Sequence, residues 1–226
     1  MGSIVRQSEK IPVFLKQKQG LLLIILLSLT LIQTFLSHKL LLTPNVYYNS
    51  FQEQLSIEQI NKLIQIGNKY EYLGYLFIIL IATIKCFLIA LIIQGALILW
   101  GFKTQFSPII KVVLFAEFVF LIPLIIKLIW FYFFKSVYSI EDIQLFSPLS
   151  LFGILSNKNI APIWIYPLQL LNIFELGYWF ILAWGLSKIL STDFDKSLQV
   201  ILSSYVPALF IWVIFVMFLT VTLNPS

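Results

Sequence analysis

Long apolar runs alternate with short polar breaks along this chain. Five of the runs, near 20–37, 73–101, 108–134, 168–190 and 198–220, are long enough to cross a hydrocarbon core of about 30 Å at about 1.5 Å per residue. The pattern predicts an all-α, multi-pass membrane protein. It divides into an amino-terminal arm over 1–19, a first anchor over 20–37, an outer loop over 38–72 and a four-helix membrane domain over 73–226. The first run, "GLLLIILLSLTLIQTFLS", follows a polar stretch carrying Arg6, Lys10, Lys16 and Lys18. That stretch is long for a signal peptide and no small-x-small cleavage pattern follows, so a retained anchor is expected.

Two of the breaks carry patterns of their own. In "LSIEQINKLIQIGNKY", Ile57, Ile60, Leu63 and Ile64 recur at helical spacing, Ser56 with Gln59 forms a capping box, and Gly67 offers a stop. A separate amphipathic helix over 55–70 is expected, lying on the membrane surface, docking a partner or packing on the protein's own spans. The second break, 135–167, starts with the acidic pair Glu141 and Asp142 and becomes apolar around Pro148, Pro162 and Pro167. Its "PLSLFGIL" is too short to span, which predicts an interfacial or re-entrant helix.

Composition sharpens this picture. The chain is 60% hydrophobic and 11% charged, with a mean hydropathy of +0.95, whereas about a quarter of residues are charged in an ordinary soluble domain. A net charge of +5 raises the question of nucleic acid, but the basic residues sit at the ends of apolar runs rather than in a cluster with exposed aromatics. They orient helices instead. Arg6, Lys10, Lys16, Lys18, Lys103, Lys111, Lys188 and Lys196 gather at one side, against Lys39, Lys62, Lys69, Lys135 and Lys158 at the other. The positive-inside rule then predicts a cytoplasmic amino terminus and, after five crossings, a carboxyl terminus outside. Trp100, Trp130, Tyr132, Trp164 and Tyr166 fall where interfacial aromatic belts belong. The lone cysteine, Cys86, has no intrachain disulfide partner and reads as a small buried hydrophobe.

Four ionisable residues lie within the runs: Lys85, Glu117, Lys127 and Glu175. Each costs a few kcal/mol at the bilayer centre, so partners are expected. Because neighbouring spans run in opposite directions, depth follows from helical rise. Lys85 and Glu117 come to similar levels near mid-depth, and Lys127 and Glu175 both lie about 10 Å below the outer ends of their helices. The pairs Lys85–Glu117 and Lys127–Glu175 are therefore expected. Such pairs either fasten the packing of neighbouring spans or line a polar pathway for a proton, ion or anionic substrate. Lys127 also has the alternatives of snorkelling outward or pairing with another subunit. Pro123 and Pro207 predict kinks, with Ser203 and Ser204 placed to help satisfy the carbonyl freed near Pro207.

Enzyme chemistry has little to build on. His38 is the only histidine, and no metal-ligand cluster, nucleophile elbow or phosphate-cradling glycine loop is present. No cofactor is implied, and the expectation is that the protein is not an enzyme.

The stretch "NIFELGYWFILAWGLSKILSTDFDKSLQVIL" over 172–202 resembles the Yip family, the Ypt-interacting membrane proteins and their bacterial relatives. The likeness rests on a penultimate span ending in "GLS" (Gly185, Leu186, Ser187), a short polar loop, and a last span opening with Lys196, Ser197 and Leu198. The hairpin "GFKTQFSPIIKVVLFAEFVFLIP", with Gly101, Lys103 and Pro123, is similar to the same family's second and third spans. The resemblance covers most of 73–220. It does not cover 50–70, and an intramembrane lysine is not part of the family pattern. It implies a non-enzymatic integral membrane protein, connected in eukaryotes with small GTPases and vesicle traffic. The short arm and a composition rich in Ile, Leu, Phe and Lys favour a bacterial inner membrane. An accessory or scaffolding subunit is expected, with the bilayer and a membrane protein or second copy as partners; the competing reading is a permease or channel-like subunit with a Lys/Glu pathway.

Overall fold

The computed structural model describes residues 12–155 and 160–223. Arg6, Lys10 and Lys158, which entered the charge count, lie outside the described residues, as does the end of the carboxyl-terminal tail. Among the described residues eleven α-helices follow one another: α1 (Val13–Lys16), α2 (Gln19–Leu41), α3 (Pro44–Phe51), α4 (Ile57–Leu99), α5 (Phe106–Glu117), α6 (Leu121–Phe133), α7 (Ile140–Leu145), α8 (Leu151–Leu155), α9 (Pro162–Leu170), α10 (Ile173–Leu190) and α11 (Phe194–Leu223). Among the described residues no strand forms. The helices α2, α4, α5 continued by α6, α10 and α11 are long and apolar enough to cross a membrane.

The core occupies one half of the bundle. Cys86, Ile89, Ala90, Ile93 and Leu97 of α4 are buried against Ile109, Val112, Val113 and Ala116 of α5, Tyr178, Leu182 and Leu186 of α10, and Val200 and Ile201 of α11. All four helices meet at the end where Lys16, Lys103, Lys111, Lys188 and Lys196 cluster, called here the basic end. Toward the opposite end the bundle opens: α4 has no buried residue between Ile60 and Cys86, and α11 has none after Tyr205.

The described part of the amino-terminal arm is folded against this core. Phe14 of α1 stacks on Phe115 at 4.3 Å and lies 5.7 Å from Trp184, while Lys111 Nζ donates to the Leu15 carbonyl at 3.0 Å. A short helix with one buried aromatic thus closes the gap between α5 and α10, and its last carbonyls find a cation.

Two segment boundaries and the surroundings of two prolines differ from the sequence reading. The capping box is present, Ser56 N–H donating to Gln59 Oε1 at 2.9 Å and Gln59 N–H to Ser56 Oγ at 3.3 Å. The helix it opens does not stop at Gly67, however, but runs on as the 43 residues of α4. At about 65 Å, α4 is roughly twice the thickness of a hydrocarbon core, so its first turns project beyond it. Glycine in a helix interior costs only about 1 kcal/mol, and the flanking Lys, Glu and Tyr residues are tolerated helix formers, so no strong stop existed. The anticipated 168–190 span is broken in two. Pro162 opens α9, and Asn172 caps α10 by accepting the Glu175 amide at 2.8 Å. The break is held from outside: Leu151 N–H donates to the Leu171 carbonyl at 2.9 Å and Ile173 N–H to the Leu149 carbonyl at 3.2 Å. The third difference concerns prolines. The helix tightens into a 3-10 turn, Phe118–Phe120, just ahead of Pro123, which shifts the hydrogen-bond pattern where a donor is about to be lost. Around Pro207 the hydroxyls of Ser203 and Ser204 both donate to the Val200 carbonyl, at 3.1 and 2.6 Å, rather than to the carbonyl that the proline frees.

Outside the spans, Asp142 organises the 135–145 loop. It takes a hydrogen bond from Lys135 Nζ at 2.8 Å and one from the Ser139 amide at 2.8 Å, and Ser139 Oγ accepts the Asp142 amide at 3.1 Å. The Lys135 ammonium, followed by the Ser139 amide, holds the Asp142 carboxyl below its ordinary value. A depressed carboxyl contributes stability above its unfolded pKa of about 3.9, and that contribution disappears as the pH falls through the lower folded value. Asp142→Ala is expected to loosen α7, because the Ser139 amide and the Lys135 ammonium lose their acceptor while Ser139 Oγ still caps the helix. Hydrogen exchange of the α7 amides at pH 7 checks this: they should exchange several-fold faster in the variant, and the difference should vanish well below pH 4.

Candidate functional site

Counting helical rise from the basic end, Lys85 on α4, Glu117 at the end of α5, Glu175 and Tyr178 on α10 and Tyr205 on α11 fall in one layer about 16–22 Å up. Their chain positions explain the coincidence. Glu117 is the last α-helical residue before the 3-10 turn, Lys85 immediately precedes the buried stretch of α4 that begins at Cys86, and Glu175 sits in the first turn of α10.

Within the layer, Lys85 Nζ lies 2.8 Å from Glu117 Oε2. The same ammonium stands 4.5 Å from the centre of the Phe120 ring and 6.0 Å from that of Tyr178. The two partners are unequally sheltered: 9% of the Glu117 side chain is accessible, against 44% for Lys85. The lysine therefore opens sideways, away from the bundle, while its counter-ion is enclosed. One of its three N–H donors is committed to Glu117, and no other acceptor for it is found among the described residues. Behind the pair, Glu117 Oε1 and the Tyr178 hydroxyl are buried without a hydrogen-bond partner.

Glu175 has a different set of neighbours. Its Oε1 accepts two hydrogen bonds, from Trp179 Nε1 and from the Tyr205 hydroxyl, both at 2.8 Å. Tyr205 in turn meets the fully buried Tyr178 edge to face, with ring centres 5.3 Å apart. A carboxyl in the first turn of a capped helix also lies at the favourable end of the helix dipole. The expected Lys127–Glu175 pair is not formed. Lys127 belongs to α6, which packs chiefly on α2, and Glu175 is drawn to the α10–α11 seam by its two aromatic donors. Among the described residues Lys127 makes no salt bridge.

The segment that carries the family-like motif is structural at each point where contacts are seen. Gly185 permits α5 and α10 to touch: a Cβ there would lie 2.5 Å from Val112 Cγ1. Ser187 Oγ donates to the Trp184 carbonyl at 2.8 Å, and the Ser187 carbonyl receives the amides of Ser191 and Thr192 as the chain turns through a left-handed Ser191. Lys196 is exposed in the first turn of α11.

Trp179, Tyr178 and Tyr205 were not anticipated as parts of the site. The signal was present in the i, i+4 spacing of Glu175 and Trp179 and in phenolic tips placed mid-span, where an O–H needs a partner. At the far end, His38 Nδ1 lies 3.1 Å from Glu71 Oε1, which also accepts a hydrogen bond from the Tyr75 hydroxyl. The His38–Glu71 contact ties the end of α2 to α4. Among the described residues no group of three or more His, Cys, Asp or Glu side chains is arranged to hold a metal. Comparison of the chain with family models, with curated proteins and with solved structures finds no match.

Proposed function

We propose that this protein is a non-enzymatic subunit that works by lateral assembly within the membrane, as an accessory or scaffolding component. The observation that carries the proposal is the half-open Lys85. An ammonium at mid-depth with 44% of its side chain accessible faces hydrocarbon when the protein stands alone, and that is costly. A partner surface supplying a hydrogen-bond acceptor at that level removes the cost. The exposed flank of α4 that carries Ile81, Ile84 and Leu88 provides a surface for such a contact. Orientation with the amino terminus in the cytoplasm follows the basic residues at that end, and a bacterial inner membrane is the setting proposed here. The resemblance of 172–202 to Yip proteins agrees with a non-enzymatic role.

Extraction in mild detergents followed by native mass spectrometry tests this reading. A reproducible complex, homomeric or with a second membrane protein, is expected, and Lys85→Met should shift it toward the free chain. A strictly monomeric particle under every extraction condition rejects it. A transport role is a second reading, supported by the unpartnered Glu117 Oε1 and Tyr178 hydroxyl beside the ion pair. In reconstituted vesicles it requires a proton or ion flux that Lys85→Met abolishes without altering assembly.

A further inference from the structure

Two unlike faces of the bundle each carry half of a polar contact, at similar depth. The first is Lys85. Its charge is already met by Glu117, which takes one of the three ammonium donors at 2.8 Å, and 44% of its side chain is accessible. What it lacks is not a counter-charge but acceptors for its other two N–H groups. A second acid there would leave one carboxylate in the hydrocarbon without a cation, so the fitting partner is a neutral oxygen.

The second face is on α11. Pro207 has no amide N–H, so the carbonyl of Ser203, four residues earlier, loses its helical donor. The nearby hydroxyls do not replace it, because Ser203 Oγ and Ser204 Oγ both donate to the Val200 carbonyl. Ser203 and Pro207 are both exposed, between Leu202 at 44% and Phe210 at 59%, so the freed oxygen lies on the outward face of the helix. No water reaches it in hydrocarbon, and a bare carbonyl there is costly. The Ser203 hydroxyl oxygen, its proton given to Val200, offers a second acceptor on the same face. Ser203 stands about 14 Å from Phe194 at the basic end of α11. Helix carbonyls point toward the carboxyl-terminal end, here the outer one, which brings this oxygen to the layer of Lys85.

We propose that these two faces meet between copies of this chain, the Lys85 ammonium of one donating to the carbonyl and hydroxyl oxygens of Ser203 of the next. The inference rests on the lateral-assembly reading above and names the partner as a second copy. Copies in one membrane share orientation and depth, so the two levels match without further adjustment. Because the faces differ, the assembly closes either as a two-fold pair that makes the contact twice or as a ring.

Energy transfer between donor- and acceptor-labelled full chains in phosphatidylcholine vesicles, read across lipid-to-protein ratios, tests the proposal. Pro207→Ala restores the missing amide and returns the Ser203 carbonyl to its own helix. It should raise the dissociation constant of the assembly about threefold, the scale of one polar contact between membrane helices, while the chain stays folded. Pro123→Ala, the matching change on α6, should leave association unchanged. Lys85→Met combined with Glu117→Leu removes the ammonium without stranding a carboxylate. It should give the same loss as Pro207→Ala, and adding Pro207→Ala to it should give no more. An unchanged dissociation constant in Pro207→Ala, a loss as large in Pro123→Ala, or additive losses in the combined variant would each overturn the contact. If transfer is absent at every ratio while native mass spectrometry finds a complex with another protein, self-pairing falls and lateral assembly stands; if no complex of either kind forms, both fall.

Discussion

Lys85→Met alone should destabilise the solubilised protein by about 2–4 kcal/mol, and the double change Lys85→Met, Glu117→Leu should recover most of that loss. Removing one partner of an enclosed ion pair leaves an uncompensated charge, whereas replacing both with apolar groups removes the desolvation cost together with the attraction. The loss exceeds the modest polar contributions measured between membrane helices, on the order of 0.6 kcal/mol, because only 9% of the Glu117 side chain is accessible and its other oxygen already lacks a partner. Thermal melts of the four proteins in one detergent at one pH measure this. A double variant as unstable as the worse single variant would mean that the pair does not fasten α4 to α5.

The parts of the site that were legible in the sequence are those governed by length and charge. Helical rise put Lys85 and Glu117 at one level on adjacent antiparallel helices, and an ammonium in an apolar run has few other places to go, so the contact at 2.8 Å follows from depth alone. The same arithmetic failed for Lys127 and Glu175 because equal depth says nothing of which helices are neighbours. There the packing of α6 on α2 decided the outcome. Nor does depth report which way a side chain faces, and Lys85, at mid-depth beside its partner, is open on its outer flank. Ser56 and Gln59 marked a helix start correctly because a cap is a local hydrogen-bond pattern. Gly67 was a poor stop because helix continuation there depends on the 32 residues that follow it in α4 more than on one weak residue. The division of 168–190 into two helices needed the backbone of 149–151, distant in sequence, to take up the broken hydrogen bonds, which no local pattern announces.

Gly185→Ala should also be destabilising, against the ordinary expectation for a helix. Within α10, alanine gains about 1 kcal/mol over glycine from intrinsic propensity. The added Cβ, however, would stand 2.5 and 2.8 Å from the two γ-methyls of Val112 and 3.2 Å from its Cβ. Val112 is 1% exposed and its β-branched side chain is held in one rotamer by the α5 helix, so it cannot swing aside and the helices must separate. Overpacking of this kind costs about 1–3 kcal/mol, and separating α5 from α10 would also loosen Phe14, which is wedged against Phe115 and Trp184 on those two helices. The net loss expected is about 1–2 kcal/mol for alanine and more for leucine. The same geometry predicts a specific rescue. Val112→Ala removes the two nearest carbons and leaves only the 3.2 Å approach, so Gly185→Ala combined with Val112→Ala should be more stable than Gly185→Ala alone, although Val112→Ala by itself creates a cavity and should destabilise. Melting temperatures of the three variants decide it. If Val112→Ala lowers stability as much in the Gly185→Ala background as in the parent, the two side chains do not compete for the same space, and the close approach of α5 and α10 is not what Gly185 serves.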